Sequence, residues 1–141
     1  MDFEKAREYI IQRIEQNINP NLFYHNLDHT LDVLESATQI AANEKLGQKE
    51  FILLKTACLY HDSGMLIDYG SHEEQSCKIA KDSLDQFNYS KKDIESICDM
   101  IMATKLPQQA NTIMQQIICD ADLDYLGRDD FFMISHRLRL E

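Results

Sequence analysis

Glycine and proline are scarce in this chain, and their scarcity restricts the fold more than any other feature. The 141 residues include only four glycines and two prolines. Because these residues form most tight turns, the chain has few turns and long secondary-structure elements. A fold of many short strands needs a turn after almost every strand. The sequence therefore predicts an all-α fold, a helical bundle of about six to seven helices.

Apolar residues recur at helical spacing along most of the chain, and short polar breaks separate the segments. Asn26 and Ser90 are suited to cap helix N-termini, and Gly47 and Pro107 are suited to interrupt helices. The expected helices cover residues 2–17, 26–46, 48–62, 72–87, 91–104, 111–125 and 128–141. The helix over 48–62 is apolar nearly all round, which predicts a central, buried position. We expect that the last helix packs on the core, or else that the chain is a shortened version of a longer protein.

The length suits one domain over residues 1–141, large enough to form a core without disulfides or a structural metal. Four cysteines lie far apart along the chain, with no C-x-x-C pair. They are expected to be buried, reduced thiols rather than disulfides or zinc ligands. These cysteines are Cys58, Cys77, Cys98 and Cys119.

Charge and hydropathy exclude several kinds of partner. The net charge is −10 and the pI is near 4.8, so the chain repels nucleic-acid phosphates. No apolar run approaches the ~20 residues that span a bilayer, and the charged start "MDFEKAREYI" does not resemble a signal peptide. We expect a cytoplasmic protein that binds neither nucleic acid nor membrane; its oligomeric state is left open. Acidic groups can still attract a divalent cation.

The stretch "YHNLDHT" places His25 and His29 four positions apart, on one face of a helix. His29 lies in line with Val33 and Ser36, at the border between the apolar and polar faces. A histidine there can face a cleft and bind a metal. Taken alone, the pair is interpreted more readily as two solvated histidines at a helix start.

The stretch "LYHDSG" places His61 and Asp62 directly after the buried helix. Adjacent side chains on a helix diverge by ~100°, so these two converge only where Gly64 lets the backbone change course. A carboxylate beside the core is costly unless it is paired or binds a metal. Metal ligation and a capping or salt-bridge contact are the two interpretations of Asp62.

The stretch "CDADLDYLG" supplies three carboxylates at every second position, Asp120, Asp122 and Asp124. Helical projection does not choose among them, because Asp120 and Asp122 flank the apolar arc at similar angles. A solvated acidic turn is the alternative. A set of two imidazoles and two carboxylates nevertheless suits Mn²⁺, Fe²⁺, Zn²⁺, Co²⁺ or Mg²⁺ and leaves positions open for water and substrate.

The three stretches, in this order, resemble the HD-domain superfamily of metal-dependent phosphohydrolases. "YHNLDHTLDVLESA" is similar to the opening motif of many members, "ACLYHDSG" to the motif that names the superfamily, and "DADLDYLG" to the last motif. The resemblance covers residues 24–127. It implies an all-α fold and hydrolysis of a phosphomonoester or phosphodiester, on a nucleotide or a small phosphorylated metabolite.

The resemblance also implies site residues. It makes His29, His61, Asp62 and Asp122 the metal ligands, with Asp120 as a fallback ligand or a group that orients a histidine. His25 matches a histidine that protonates the leaving oxygen in phosphodiesterase relatives; a hydrogen bond that only supports the metal site is the alternative for it. Asp62 doubles as a catalytic carboxylate. His72 matches a position that binds a second metal or contacts phosphate in some members, with Glu73 as its helper.

The chain departs from the two-metal members of the superfamily. They carry further histidines where this chain reads "MIMATKLPQQ", and a lysine often follows the glycine of "HDSGM". We therefore expect one divalent ion, with His72 and Lys105 on the substrate side. For Lys105, an exposed lysine at a helix end is the alternative. A metal- or nucleotide-binding regulatory module without turnover, and a helical scaffold without metal, are the alternatives to an enzyme.

Overall fold

The computed structural model describes residues 1–17, 19–22, 25–127 and 131–141. Over those residues the chain forms seven α-helices and no β-strand, which confirms the predicted all-α fold. In chain order the helices are α1 (Phe3–Asn17), α2 (Leu27–Ala41), α3 (Gln48–Tyr60), α4 (His72–Ser83), α5 (Lys91–Ala103), α6 (Ile113–Asp122) and α7 (Phe131–Leu140). Short 3-10 turns cover Ser63–Leu66, Leu84–Phe87 and Asp124–Gly127.

Helix α3 lies at the centre of the bundle, as its apolar sequence predicts. It packs against α1, α2, α4, α5 and α6. Its side chains Leu54, Ala57, Cys58 and Leu59 are fully shielded from solvent. All four cysteines of the chain are buried free thiols, as expected. His61 and Asp62 therefore follow directly after a helix that the rest of the fold encloses.

Several helices are shorter than the sequence predicts, for local reasons. Helix α2 ends at Ala41 rather than residue 46, because the amides of Asn43 and Glu44 bond three residues back and tighten the last turn. The helix predicted over 72–87 becomes a 3-10 turn after Ser83 and ends at Asn88, whose φ of 65° is left-handed.

Helix α6 begins at Ile113 because the Thr112 side chain accepts a hydrogen bond from the amide of Gln115 and caps the N-terminus. The C-terminal end of α6 likewise gives way to the turn at Asp124–Gly127, short of the expected end at residue 125. Two predictions fall outside the described residues: the first three residues of the last helix, 128–130, and Tyr24 at the start of the first motif.

Gly64 packs the turn after α3 directly onto α4. A Cβ atom at this position would lie 1.9 Å from the backbone oxygen of His72. The Gly64 amide donates to the Ser76 hydroxyl oxygen at 2.8 Å, and that hydroxyl donates to the His61 carbonyl at 2.8 Å. The turn that carries His61 and Asp62 is thereby fixed against the start of α4, which carries His72.

Helix α7 buries none of its residues and contacts the Asp124–Gly127 turn. It therefore lies on the outside of the bundle, with its C-terminal end at the site described below. None of the helices in the described ranges is long and apolar enough to cross a lipid bilayer. The cytoplasmic location expected from the sequence stays a prediction.

Candidate metal centre

Four side chains from three segments of the chain converge on one point. The Nε2 atom of His29 lies 3.2 Å from Asp62 Oδ2 and 3.1 Å from Asp122 Oδ1. The Nε2 atom of His61 lies 3.1 Å and 3.3 Å from the same two oxygens. All four atoms lie within 4.8 Å of one another. The structure thus brings together the four residues that the sequence predicted as ligands.

Local structure places each of these groups. The Asn26 side chain caps α2 by accepting a hydrogen bond from the His29 amide, which sets His29 in the first turn. His61 lies at the C-terminal end of α3, and Asp62 follows where the backbone turns. Asp122 is the last residue of α6. Each group lies at or near a helix end, where adjacent side chains can face the same centre.

The spacing of these atoms fits a divalent cation. For an ion about 2.1 Å from each ligand atom, neighbouring ligands lie about 3.0 Å apart in octahedral geometry and about 3.4 Å apart in tetrahedral geometry. The four nitrogen–oxygen distances, 3.1–3.3 Å, fall between these two values. Two imidazole nitrogens and two carboxylate oxygens suit a transition-metal ion.

Two atoms in this cluster are buried without a hydrogen-bond partner. They are the Nε2 atom of His61, whose side chain is 0% exposed, and the Oδ2 atom of Asp62. Buried polar atoms are almost always satisfied, because an unpaired one costs about 1–3 kcal/mol. Both atoms face the shared centre, so one cation there would satisfy both.

The other ring nitrogen of His61 is also accounted for. Its Nδ1 atom donates to the Cys58 carbonyl oxygen at 2.7 Å, which holds the ring in place and leaves Nε2 to bind a metal. Burial opposes protonation of this ring, but the negative charge of Asp62 outweighs it and raises the pKa of His61 well above its ordinary value. A metal ion binding at Nε2 therefore competes with a proton.

The same competition holds for the other members of the cluster. Burial lowers the pKa of His29, yet its contacts with Asp122 and Asp62 leave that pKa raised. Burial likewise opposes ionisation of Asp122, but hydrogen bonds from His29 and His61 lower its pKa to about 2. The carboxylates are therefore ionised at neutral pH and available to a cation.

The two oxygens of the Asp62 carboxylate face imidazoles on different sides. Its Oδ2 atom faces His29 and His61, and its Oδ1 atom lies 3.2 Å from the Nε2 atom of His72. The same His72 nitrogen lies 3.2 Å from the buried carboxylate of Glu73, and Nδ1 of His72 donates to the Tyr69 carbonyl oxygen at 3.2 Å. His72 and Glu73 thus lie beside the four-residue cluster, as the sequence predicted.

His25 is held beside the cluster by the far end of the chain. Its ring centroid lies 5.8 Å from that of His29 and 5.9 Å from that of His72. The Glu141 carboxylate contacts His25 Nδ1 and accepts a hydrogen bond from the His25 amide at 2.8 Å. Burial and the neighbouring Glu141 charge raise the pKa of Tyr69 to about 12, so Tyr69 is a neutral donor. The sequence did not predict that Glu141 and Tyr69 belong to the site, because no motif links either residue to His25, which is distant from both along the chain.

Two predicted residues lie elsewhere. Asp120 is exposed on α6, so it is not placed to bind the ion or to orient a histidine. The third carboxylate of the same stretch, Asp124, accepts a hydrogen bond from the Ser36 hydroxyl at 3.0 Å. Lys105 forms an exposed ion pair with Glu74 and does not line the cavity beside the cluster, in accord with the alternative of an exposed lysine at a helix end. A helix-end lysine readily reaches a carboxylate on the neighbouring helix.

Comparison with known proteins agrees with this geometry. Residues 26–124 match the HD domain family. Over 90 residues the chain is 36% identical to a protein from Clostridium beijerinckii that is named only as uncharacterized. That similarity covers 62% of this chain and 57% of the relative, so the chain spans little more than half of the relative's length. No solved structure matches the chain. Because the family match covers well over half of the sequence and includes all four clustered residues, the chain belongs to the HD-domain family.

Proposed function

We propose that this protein is a metal-dependent phosphohydrolase that hydrolyses a phosphomonoester or phosphodiester of a nucleotide or a small phosphorylated metabolite. The observation that carries the proposal is the convergence of two imidazole nitrogens and two carboxylate oxygens, all within 4.8 Å of one another at a largely buried point. Burying four titratable groups together is costly unless an ion or protons compensate their charge. Family membership supports the same class of chemistry.

One divalent ion of Mn, Fe, Zn, Co or Mg would be held by His29, His61, Asp62 and Asp122. When bound, such an ion supplies Lewis-acid polarisation of a phosphoryl oxygen and acidifies a water molecule. Asp62 and Asp122 are the carboxylates placed to orient the attacking water or to accept its proton. His72 faces the same space and would donate a hydrogen bond to a phosphoryl oxygen.

His25 would protonate the leaving oxygen. It lines the cavity beside the cluster, and the Glu141 carboxylate at its Nδ1 atom orients the ring so that Nε2 can carry the proton. A small substrate, no nucleic acid and no membrane remain the proposed partners, in accord with the net charge of −10.

The test combines metal analysis with a phosphatase and phosphodiesterase panel on the purified chain, with and without added Mn²⁺. Replacing Asp62 by Ala should abolish both metal retention and turnover. Asp120→Ala is the matched control, because it removes an exposed carboxylate two residues from Asp122. An Asp62→Ala protein with full metal content and activity would refute the proposal. Metal and nucleotide binding without hydrolysis would instead favour a regulatory module.

A further inference from the structure

The cavity beside the metal centre is lined by both polar and apolar side chains. It has a volume of about 310 Å³, at the lower end of the range for ligand pockets, about 300–1,000 Å³. Its polar lining includes Asp62, His72 and Asp122. Large apolar and aromatic side chains form much of the rest of the wall, namely Met65, Tyr69, Leu106, Leu123, Tyr125 and Leu138.

Several of these wall residues are exposed although they are apolar. Leu106 is 76% exposed, Tyr69 50% and Leu123 37%. Isolated exposed apolar side chains are common, but a group that surrounds one opening marks a binding surface. Because this opening leads to the carboxylate and imidazole cluster, its apolar wall would contact the part of a substrate that extends from the phosphoryl group.

The charge of the wall restricts the substrate further. No lysine or arginine among the described residues lines the cavity, and the nearby Lys105 is paired with Glu74. Sites for several phosphates or carboxylates use such cations. Besides the proposed metal ligands Asp62 and Asp122, the carboxylate of Glu73 lines the cavity, and that of Glu141 lies beside it at His25. A second anionic group on the substrate would therefore lie in a negative field.

From the cavity we infer that the substrate carries one phosphoryl group on a small apolar or aromatic alcohol, rather than a polyphosphate or another multiply charged group. This inference rests on the proposed hydrolytic function and specifies its substrate class. Hydrolysis forms a bond between a water oxygen and phosphorus and breaks the bond between phosphorus and the ester oxygen. The leaving oxygen takes a proton, and the products are the alcohol and inorganic phosphate.

Calorimetric titration of the Mn²⁺-loaded full chain with non-hydrolysable phosphonates tests the inference without relying on turnover. The probes are methylphosphonate, benzylphosphonate and 4-carboxybenzylphosphonate. Burial of the benzyl ring should make benzylphosphonate bind about 10- to 30-fold more tightly than methylphosphonate. The added carboxylate should weaken binding by about tenfold, because it meets apolar and acidic side chains.

Leu106→Lys tests the role of the wall by adding a cation to it. The Leu106 side chain is mostly in water, so the fold should tolerate the change. This variant should bind 4-carboxybenzylphosphonate more tightly than the unmodified chain does, by about fivefold or more. Ile113→Lys is the control, since Ile113 is 43% exposed and lies outside the cavity wall. It should leave all three affinities unchanged.

The outcomes separate this inference from the proposed function. Equal affinities for methylphosphonate and benzylphosphonate, or tightest binding of the carboxylated probe, would overturn the inference even if small phosphate esters are hydrolysed. Tight benzylphosphonate binding without hydrolysis of benzyl phosphate would overturn the proposed function and retain the ligand class. An equal gain for Leu106→Lys and Ile113→Lys would show a general charge effect and also overturn the assignment of the wall.

Discussion

Removing the metal ion should destabilise the protein by an amount set by the cluster. Without an ion, His61 Nε2 and Asp62 Oδ2 are buried and lie 3.1 Å apart, but no well-formed hydrogen bond joins them. A buried polar atom without a hydrogen bond costs about 1–3 kcal/mol, so an ion that satisfies both atoms would add at most about 6 kcal/mol to the free energy of unfolding. Binding linkage gives a similar value, about 4 kcal/mol when the free ion is at a thousand times its Kd.

That free energy corresponds to a measurable shift in melting temperature. For a chain of this size, 1 kcal/mol changes Tm by about 3 °C, so saturating Mn²⁺ should raise Tm by about 10 °C. The assay is differential scanning calorimetry of metal-stripped protein, repeated with Mn²⁺ and then with excess EDTA. EDTA should reverse the shift. Mass-spectrometric metal analysis of the same samples should give one ion per chain.

Asp62→Asn and Asp120→Asn form the matched pair for this experiment. Both substitutions remove one negative charge, but only Asp62 faces the two imidazoles. Asp62→Asn should lose most of the metal-induced shift, and Asp120→Asn should keep it. Because the readout is the difference with and without metal, a change in baseline stability does not affect it. No shift in the unmodified chain, or a full shift in Asp62→Asn, would refute the reasoning.

Three further predictions follow from named contacts. The pKa values of His29 and His61 are raised, so protons compete with the metal, and metal affinity should increase as pH rises from below 6.5 to well above it. Calorimetry in buffers of different ionisation enthalpy would measure the released protons. A metal affinity that does not depend on pH would contradict this prediction. His25→Ala should lower kcat by about 100-fold for alkyl phosphate esters and much less for p-nitrophenyl esters, whose leaving group needs no proton; equal losses would exclude His25 as the acid. Gly64→Ala should cost about 3 kcal/mol or more in urea unfolding, because its Cβ would meet rigid backbone at 1.9 Å. Gly47→Ala, whose nearest atom lies at 3.5 Å, should cost only about 1 kcal/mol, through loss of a favourable N-cap residue of α3. Equal costs would contradict the close packing.

The sequence alone predicts the helical class and the convergence of the histidines with Asp62. Helical periodicity identifies the long elements, and a carboxylate that follows a buried helix needs a partner. Periodicity did not choose between Asp120 and Asp122, because both flank the apolar face of α6. The family resemblance made that choice, and the structure places Asp122 in the cluster and leaves Asp120 exposed.

Contacts that depend on the packing of distant segments could not be predicted in this way. Glu141 reaches His25 across 116 positions of sequence, and no local pattern encodes that approach. Lys105 follows α5, where a cation can turn toward a substrate or toward the neighbouring helix. Its partner Glu74 lies on α4, so only the relative placement of the two helices decides the contact.

The two-sided carboxylate of Asp62 has a thermodynamic consequence. One oxygen belongs to the cluster of His29 and His61, and the other contacts His72. An ion at Oδ2 would draw electron density away from Oδ1, weaken its contact with His72 and so favour the proposed contact of His72 with a phosphate oxygen. Occupancy of the two proposed sites would then be coupled, and reciprocity requires that a phosphate ligand tighten ion binding by the same factor by which the ion tightens phosphate binding. In a cell where the metal is scarce, abundance of substrate would itself recruit the ion.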